Sequence, residues 1–280
     1  DAIVALLDRD AIADPAFGAA VAAIHGGDVR ELERLLDSEP RLLRERNAGP
    51  DVYRRATRPD YFRDPKLVWY VANNPETTAR MAPNVVEIAG VMLARGIDRD
   101  DLETTLGLVA SSSSAREQGH QRALIRVLLD AGARATRETI LVAAAHGELD
   151  ALRAFLDFGS AMDAPIAAAF GDTAALARLV SDANADDVRE AFGLAVINRH
   201  VEAARIALDA GADVDAFLPV HAHGTALHHA AGVDDVPMLK LLLARGARSD
   251  LRDTLWDGTA LDWASFAGHD EARTILAHRA

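Results

Sequence analysis

The chain has 280 residues, no cysteine, and 30 Lys and Arg against 43 Asp and Glu, a formal charge of −13. That length supports a sizeable core without a disulfide or metal staple, and the missing thiols exclude a thiolate metal site and a cysteine nucleophile. The charge disfavours phosphate backbones and anionic lipid surfaces, so neither nucleic acid nor membrane is expected as a partner.

Half of the residues are hydrophobic but only 5% are aromatic, a mixture of Ala, Leu and Val that favours helices. No apolar run approaches the roughly 18 residues of a membrane span. Asp1 to Pro15 is too acidic for a secretory signal, and a cytoplasmic protein is expected. In chain order, Ile3, Val4, Leu6, Leu7 and Ile12 predict a helix over residues 1–16 that covers the N-terminal end of the fold. The stretch AVAAIHGGDVRELERLLDSEP follows as a first helical unit, with Asp28, Arg30, Glu31, Glu33 and Arg34 as its polar outer face.

The segment Asn47 to Lys66 breaks the pattern. It sets Arg54, Arg55, Arg58, Arg63 and Lys66 against Asp51, Asp60 and Asp64, a local balance of 5 − 3 = +2. Tyr53, Tyr61, Phe62, Trp69 and Tyr70 all fall between residues 53 and 70. Irregular segments longer than about 12 to 15 residues are usually functional or disordered. One reading is a cationic aromatic loop, with Tyr61, Phe62 and Trp69 as anchors for a partner chain or an anionic small molecule. The other is that these rings fill an uneven joint between units.

Further along, a leucine-rich stretch ending in small–Gly–small recurs, with glycines at Gly96, Gly132, Gly159, Gly211 and Gly246. Their spacings are 36, 27, 52 and 35 residues, and a divergent copy, APIAAAFGDTAALARLV, fills the longest gap. Each glycine follows a helical pattern where a left-handed C-cap belongs. Short Ala-rich helices precede most of these stretches, so the unit is a tight antiparallel helix pair that must stack on its neighbours. Between two of the paired helices, ASSSSAREQGH (Ala110 to His120) inserts about six extra residues. Its hydroxyls and Arg116 suggest an anion contact, or else a solvated loop whose serine caps the next helix. A serine run alone is a weak catalytic signal without a base and an oxyanion site.

In AFLPVHAHGTALHHA, Ala216 to Ala230, four of the ten histidines fall in nine positions. His221 and His223 share one side of the segment if it is extended. Two histidines fall short of the converging ligands that zinc needs, and no metal or other cofactor is expected.

The last two units, GTALHHAAGVDDVPMLKLLLARGARSDLRD and DGTALDWASFAGHDEARTIL, resemble ankyrin repeats. Thr225, Leu227, His228, Ala230 and Ala231 fit that pattern in the first copy, and Gly258, Thr259, Leu261, Ala264, Gly268 and His269 in the second. Ala226 and Ala260 replace the family's proline, and Asp262 its histidine. The resemblance implies an all-α, ankyrin-like helical repeat solenoid of about seven or eight helix pairs with short finger loops. Residues 1–50 would form a divergent cap and first repeat, 51–66 an irregular loop, 67–188 divergent repeats and 189–280 the clearest repeats. It further implies that His228 bonds its own turn and ties neighbouring units, that His229 faces the concave surface, and that Trp256 and Asp257 sit at a finger tip. The implied function is protein binding through inner helices and fingers, with Tyr61, Phe62, Trp69, Arg116, His221, His223, His229, Trp256 and Asp257 as binding candidates. The alternative is a small-molecule binder or enzyme whose pocket is lined by the aromatic loop, the serine-rich insertion and the histidine finger, with His223 and Asp257 as acid/base candidates.

Overall fold

The computed structural model describes residues 12–47 and 64–278. Its contacts divide the chain into two compact units: residues 1–143 with 150–160, and residues 144–149 with 161–280. The described residues form helices joined by turns, with isolated bridges in place of strands. No helix among them is long and apolar enough to cross a membrane.

In the first unit, α1 (Pro15–Gly26) and α2 (Val29–Ser38) form the opening pair. Asp14 caps α1 by accepting from the Ala16 and Phe17 N–H groups, and Pro15 stands where a missing N–H costs nothing. A 3₁₀ turn at Leu67–Ala72 takes the place of the next inner helix, followed by α3 (Val85–Leu93). Then come α4 (Arg99–Ala110), the short α5 (Ser113–Glu117) and α6 (Gln121–Asp130). The inner row runs from α1 through the 3₁₀ turn to α4, and the outer row from α2 through α3 to α6. The pair α7 (Arg137–Ala145) and α8 (Leu149–Asp157) completes this part of the chain.

The second unit contains α9 (Ala164–Phe170), α10 (Thr173–Leu179), α11 (Ala185–Ile197), α12 (Val201–Asp209), α13 (Ala226–Gly232), α14 (Val236–Ala244), α15 (Ala260–Ala267) and α16 (Asp270–Ala277). Odd-numbered helices stack as an inner row and even-numbered ones as an outer row. Ala168, Ala191 and Ala195 are fully buried where α9 meets α11, because side chains no larger than a methyl let the helices approach closely. Phe192, Leu227, Leu239 and Leu242 supply the bulk of the core. Removing one such ring, as in Phe192→Ala, costs about 3 to 5 kcal/mol. Among the described residues the elements make eight pairs in chain order, counting the 3₁₀ turn as an inner element.

The repeat glycines adopt the expected left-handed backbone, with φ of 81° at Gly96, 99° at Gly132, 103° at Gly159, 100° at Gly211 and 87° at Gly246. A second device joins pairs within each unit. Carbonyls at the ends of inner helices lack the helix's next donor, and side chains from a later repeat reach them. His200 Nε2 donates to Ala169 O at 3.1 Å, Asn198 Nδ2 to Ala144 O at 2.9 Å, and His269 Nε2 to Gly232 O at 3.1 Å. In the first unit Asn84 Nδ2 does the same to Gly27 O at 3.0 Å.

Candidate functional site

Of the first-unit candidates, Tyr61 and Phe62 lie outside the described residues. Trp69 is 5% exposed on the 3₁₀ turn, with the Arg46 guanidinium 4.9 Å over its ring. It is a packed side chain rather than an exposed anchor, because the turn that replaces an inner helix leaves a gap that large rings fill. Tyr70 beside it packs edge-on against Phe17 and His25 at 6.1 and 6.0 Å. Burial pushes the Tyr70 hydroxyl up to about 12, although Asn47 bonds to it. Lys66, counted with the cationic loop, turns inward to pair with Asp101 at 3.2 Å and to donate to Arg44 O.

The serine-rich insertion is also internally engaged. Ser112 caps α5 by accepting from Ala115 N–H at 3.0 Å and donates to Ala72 O at 2.8 Å. Ser114 and Ser111 accept from Asn73 Nδ2 and Asn74 Nδ2 at 2.8 and 3.0 Å. Asn73 Oδ1 in turn accepts from the Thr77 and Thr78 N–H groups at 2.8 and 3.0 Å, and Gln118 Oε1 accepts from Met81 N–H at 2.9 Å. The serines therefore brace residues 73–81, and the Arg116 guanidinium pairs with Glu117 at 3.3 Å.

The second-unit candidates come together. Phe217 and Thr225 pair in an antiparallel bridge, and Leu218 N–H donates to Gly224 O at 3.1 Å, closing a finger that carries His221 and His223. Thr254 N–H donates to His223 O at 2.9 Å, which joins this finger to the next. His228 plays the expected structural part. Its Nε2–H donates to Gly258 O at 3.1 Å, so Nδ1 is the acceptor facing Thr225 N–H at 3.2 Å and Oγ1 at 2.8 Å. In the last repeat the Asp262 carboxylate closes the same capping box on Thr259, with N–H and Oγ1 both at 2.8 Å, which is how that unit dispenses with the histidine.

Four histidines gather beside these fingers. His221 lies 6.0 Å from His146, 6.2 Å from His223 and 5.5 Å from His229, ring centre to ring centre. Burial first, then repulsion from His221, His223 and His228, brings His229 down to about 4, and its buried Nε2 meets no hydrogen-bond partner among the described residues. Burial, His146 and His223 lower His221 as well. His221 and His229 are thus neutral at pH 7. Among the described residues no three His, Asp or Glu side chains are placed to hold a metal ion.

Next to the histidines opens a cleft of about 800 Å³ with Trp263 as its floor, flanked by His223, Trp256, Asp257, Asp262 and Phe266. His223 stacks on Trp263 at 5.5 Å and 25°, while Trp256 stands against it at 5.8 Å and 66°. Trp263 fits because Gly232 has no side chain: a Cβ there would lie 3.0 Å from the ring. Asp253 fixes the floor. One carboxylate oxygen accepts from Leu255 and Trp256 N–H at 2.8 and 2.7 Å, the other from Gly258 N–H and Trp263 Nε1–H at 2.9 Å each. Burial alone would raise this carboxyl, but those four donors hold it well below the usual carboxylate range. Trp256 and Phe266 remain 71% and 98% exposed.

His223 and Asp257 line the same cleft, yet no hydrogen bond joins them among the described residues. Asp257 instead faces Arg252 at 3.5 Å, so the acid/base dyad is not assembled. Sequence reasoning missed Trp263, Asp253 and Phe266. Trp263 was within reach, since it stands four residues after Thr259 as His229 does after Thr225.

Residues 165–253 match the family model for ankyrin repeats in 3 copies. A search of the curated proteins returned no match.

Proposed function

We propose that this chain, which carries ankyrin repeats and so belongs among proteins built of general protein–protein interaction modules, binds a partner protein through the finger and inner-helix surface of its last two repeats. Fold alone is a weak warrant for function. The observation that carries the reading is the pair of rings Trp256 and Phe266, 71% and 98% exposed at the rim of a cleft whose floor is held rigid by Asp253. Exposed aromatic side chains around a packed centre are what interface hot spots are made of. His221, His223 and His229 extend the same surface with flat, ring-shaped side chains, and Asp257 borders it.

The cleft volume lies in the range of small-molecule sites, which keeps a ligand as the second reading. Against a pocket lined also by Trp69 and the serine insertion stands that Trp69 is buried and the serines bond within the first unit. Immobilised protein tests the main reading against its own variants. Trp256→Ala and Phe266→Ala are expected to keep the wild-type circular dichroism and melting temperature while losing proteins that wild type retains. Undiminished retention by both variants would move the interaction elsewhere.

A further inference from the structure

The cleft selects by charge as well as by shape. Asp253, Asp257 and Asp262 line it, and no Lys or Arg does. Arg252 beside it bonds the Asp257 backbone carbonyl and faces the Asp257 carboxylate, leaving three carboxylates against one guanidinium. Hydrogen bonds from Thr259 hold the Asp262 carboxyl below its ordinary range, and Asp253 is held there as described, so both stay charged. Trp263 is committed, with His223 on its face and Asp253 on its N–H. Trp256 is not, and at 71% exposure its indole can receive a second flat group.

We infer that the partner presents an extended basic segment, one arginine of which enters this cleft, its guanidinium against Trp256 and its charge facing Asp257 and Asp262. An anionic ligand would meet repulsion here, and an aliphatic side chain would gain nothing from the negative field of the three carboxylates. A guanidinium is planar, stacks on indole and bonds carboxylates through a fixed fork of donors. A chain charge of −13 adds long-range attraction for a basic segment.

This inference rests on the protein-binding reading above, and the test separates the two. The full chain is titrated with an acetylated (Arg-Gly)4 peptide carrying a neutral dye, and in parallel with its citrulline counterpart, which has the same shape without the charge. The arginine peptide is expected to bind at least tenfold more tightly. That advantage should shrink between 50 mM and 500 mM NaCl, fall severalfold in Asp257→Asn/Asp262→Asn, and be lost in Trp256→Ala. Equal affinities for the two peptides, no binding of the arginine peptide at millimolar concentration, or an unaltered advantage in Trp256→Ala would overturn the inference. If in that event Trp256→Ala still lost its retained partners, protein binding through this surface would stand and only its basic specificity would fall.

Discussion

The serine-rich insertion of the first unit and the histidine finger of the second both depart from a plain stack of helix pairs, and they use their side chains in opposite ways. In the insertion, Ser111, Ser112, Ser114 and Gln118 each bond a group that the chain itself supplies, chiefly Asn73, Asn74 and the backbone around them. Beside the finger, Asp253 and His228 are likewise bonded within the chain, but what they hold in place ends in Trp256 and Phe266, which stay largely exposed. An irregular segment is thus a candidate for binding when its order leaves apolar surface exposed. When its order is spent on the neighbouring loop, it is a brace.

That contrast can be broken by substitution. Asn73→Ala is expected to do most damage, about 3 kcal/mol in urea unfolding, because it strands the Thr77 and Thr78 N–H groups and removes a bond to Ser114. A loss under about 1 kcal/mol would mean that the insertion is not the brace described. Next, His228→Ala should cost about 2 kcal/mol by removing the capping bonds to Thr225 and the tie to Gly258. His228→Asp should recover the capping part alone, since Asp262 performs it in the last repeat.

The histidine cluster makes the second unit sensitive to acid. His229 titrates near 4 when folded, and His221 and His228 are lowered as well, against about 6.5 in the unfolded chain. Between those values the unfolded state binds more protons, so stability is constant above about pH 7 and declines as pH falls toward 4, by about 3 kcal/mol through His229 alone. Melting temperatures at pH 7.5 and 4.5 measure this, and His229→Gln should flatten the difference. An unchanged slope in that variant would assign the effect to other groups. The smallest effect on stability is expected from Trp256→Ala, below about 0.5 kcal/mol by urea unfolding, as for other exposed positions. A loss beyond about 1.5 kcal/mol would make Trp256 a structural ring like Trp69.

Much of the fold was legible because it rests on local requirements. Gly96, Gly132, Gly159, Gly211 and Gly246 stand where a left-handed residue must end a helix, and a short sequence window reveals that. His228 was readable for the same reason, its capping partner being three residues away. The partners of the serine insertion are not local: Asn73 and Asn74 lie about 40 residues upstream, so the serines looked unoccupied. For Trp69 the sequence allowed both an anchor and a joint filler, because nothing in it signalled that a 3₁₀ turn replaces an inner helix there. In the cleft, Trp256 and Asp257 were found from the finger pattern, but Asp253 was not. Its role exists only once the finger folds back to offer three N–H groups to one carboxylate.

The direct test of the working surface is photo-crosslinking from both departures in otherwise unaltered protein. A p-benzoylphenylalanine in place of Phe266 is expected to crosslink a retained partner protein, while the same group in place of Ser113 in the insertion is expected to give none. Crosslinks from the Ser113 position with none from the Phe266 position would contradict the assignment of binding to the last two repeats.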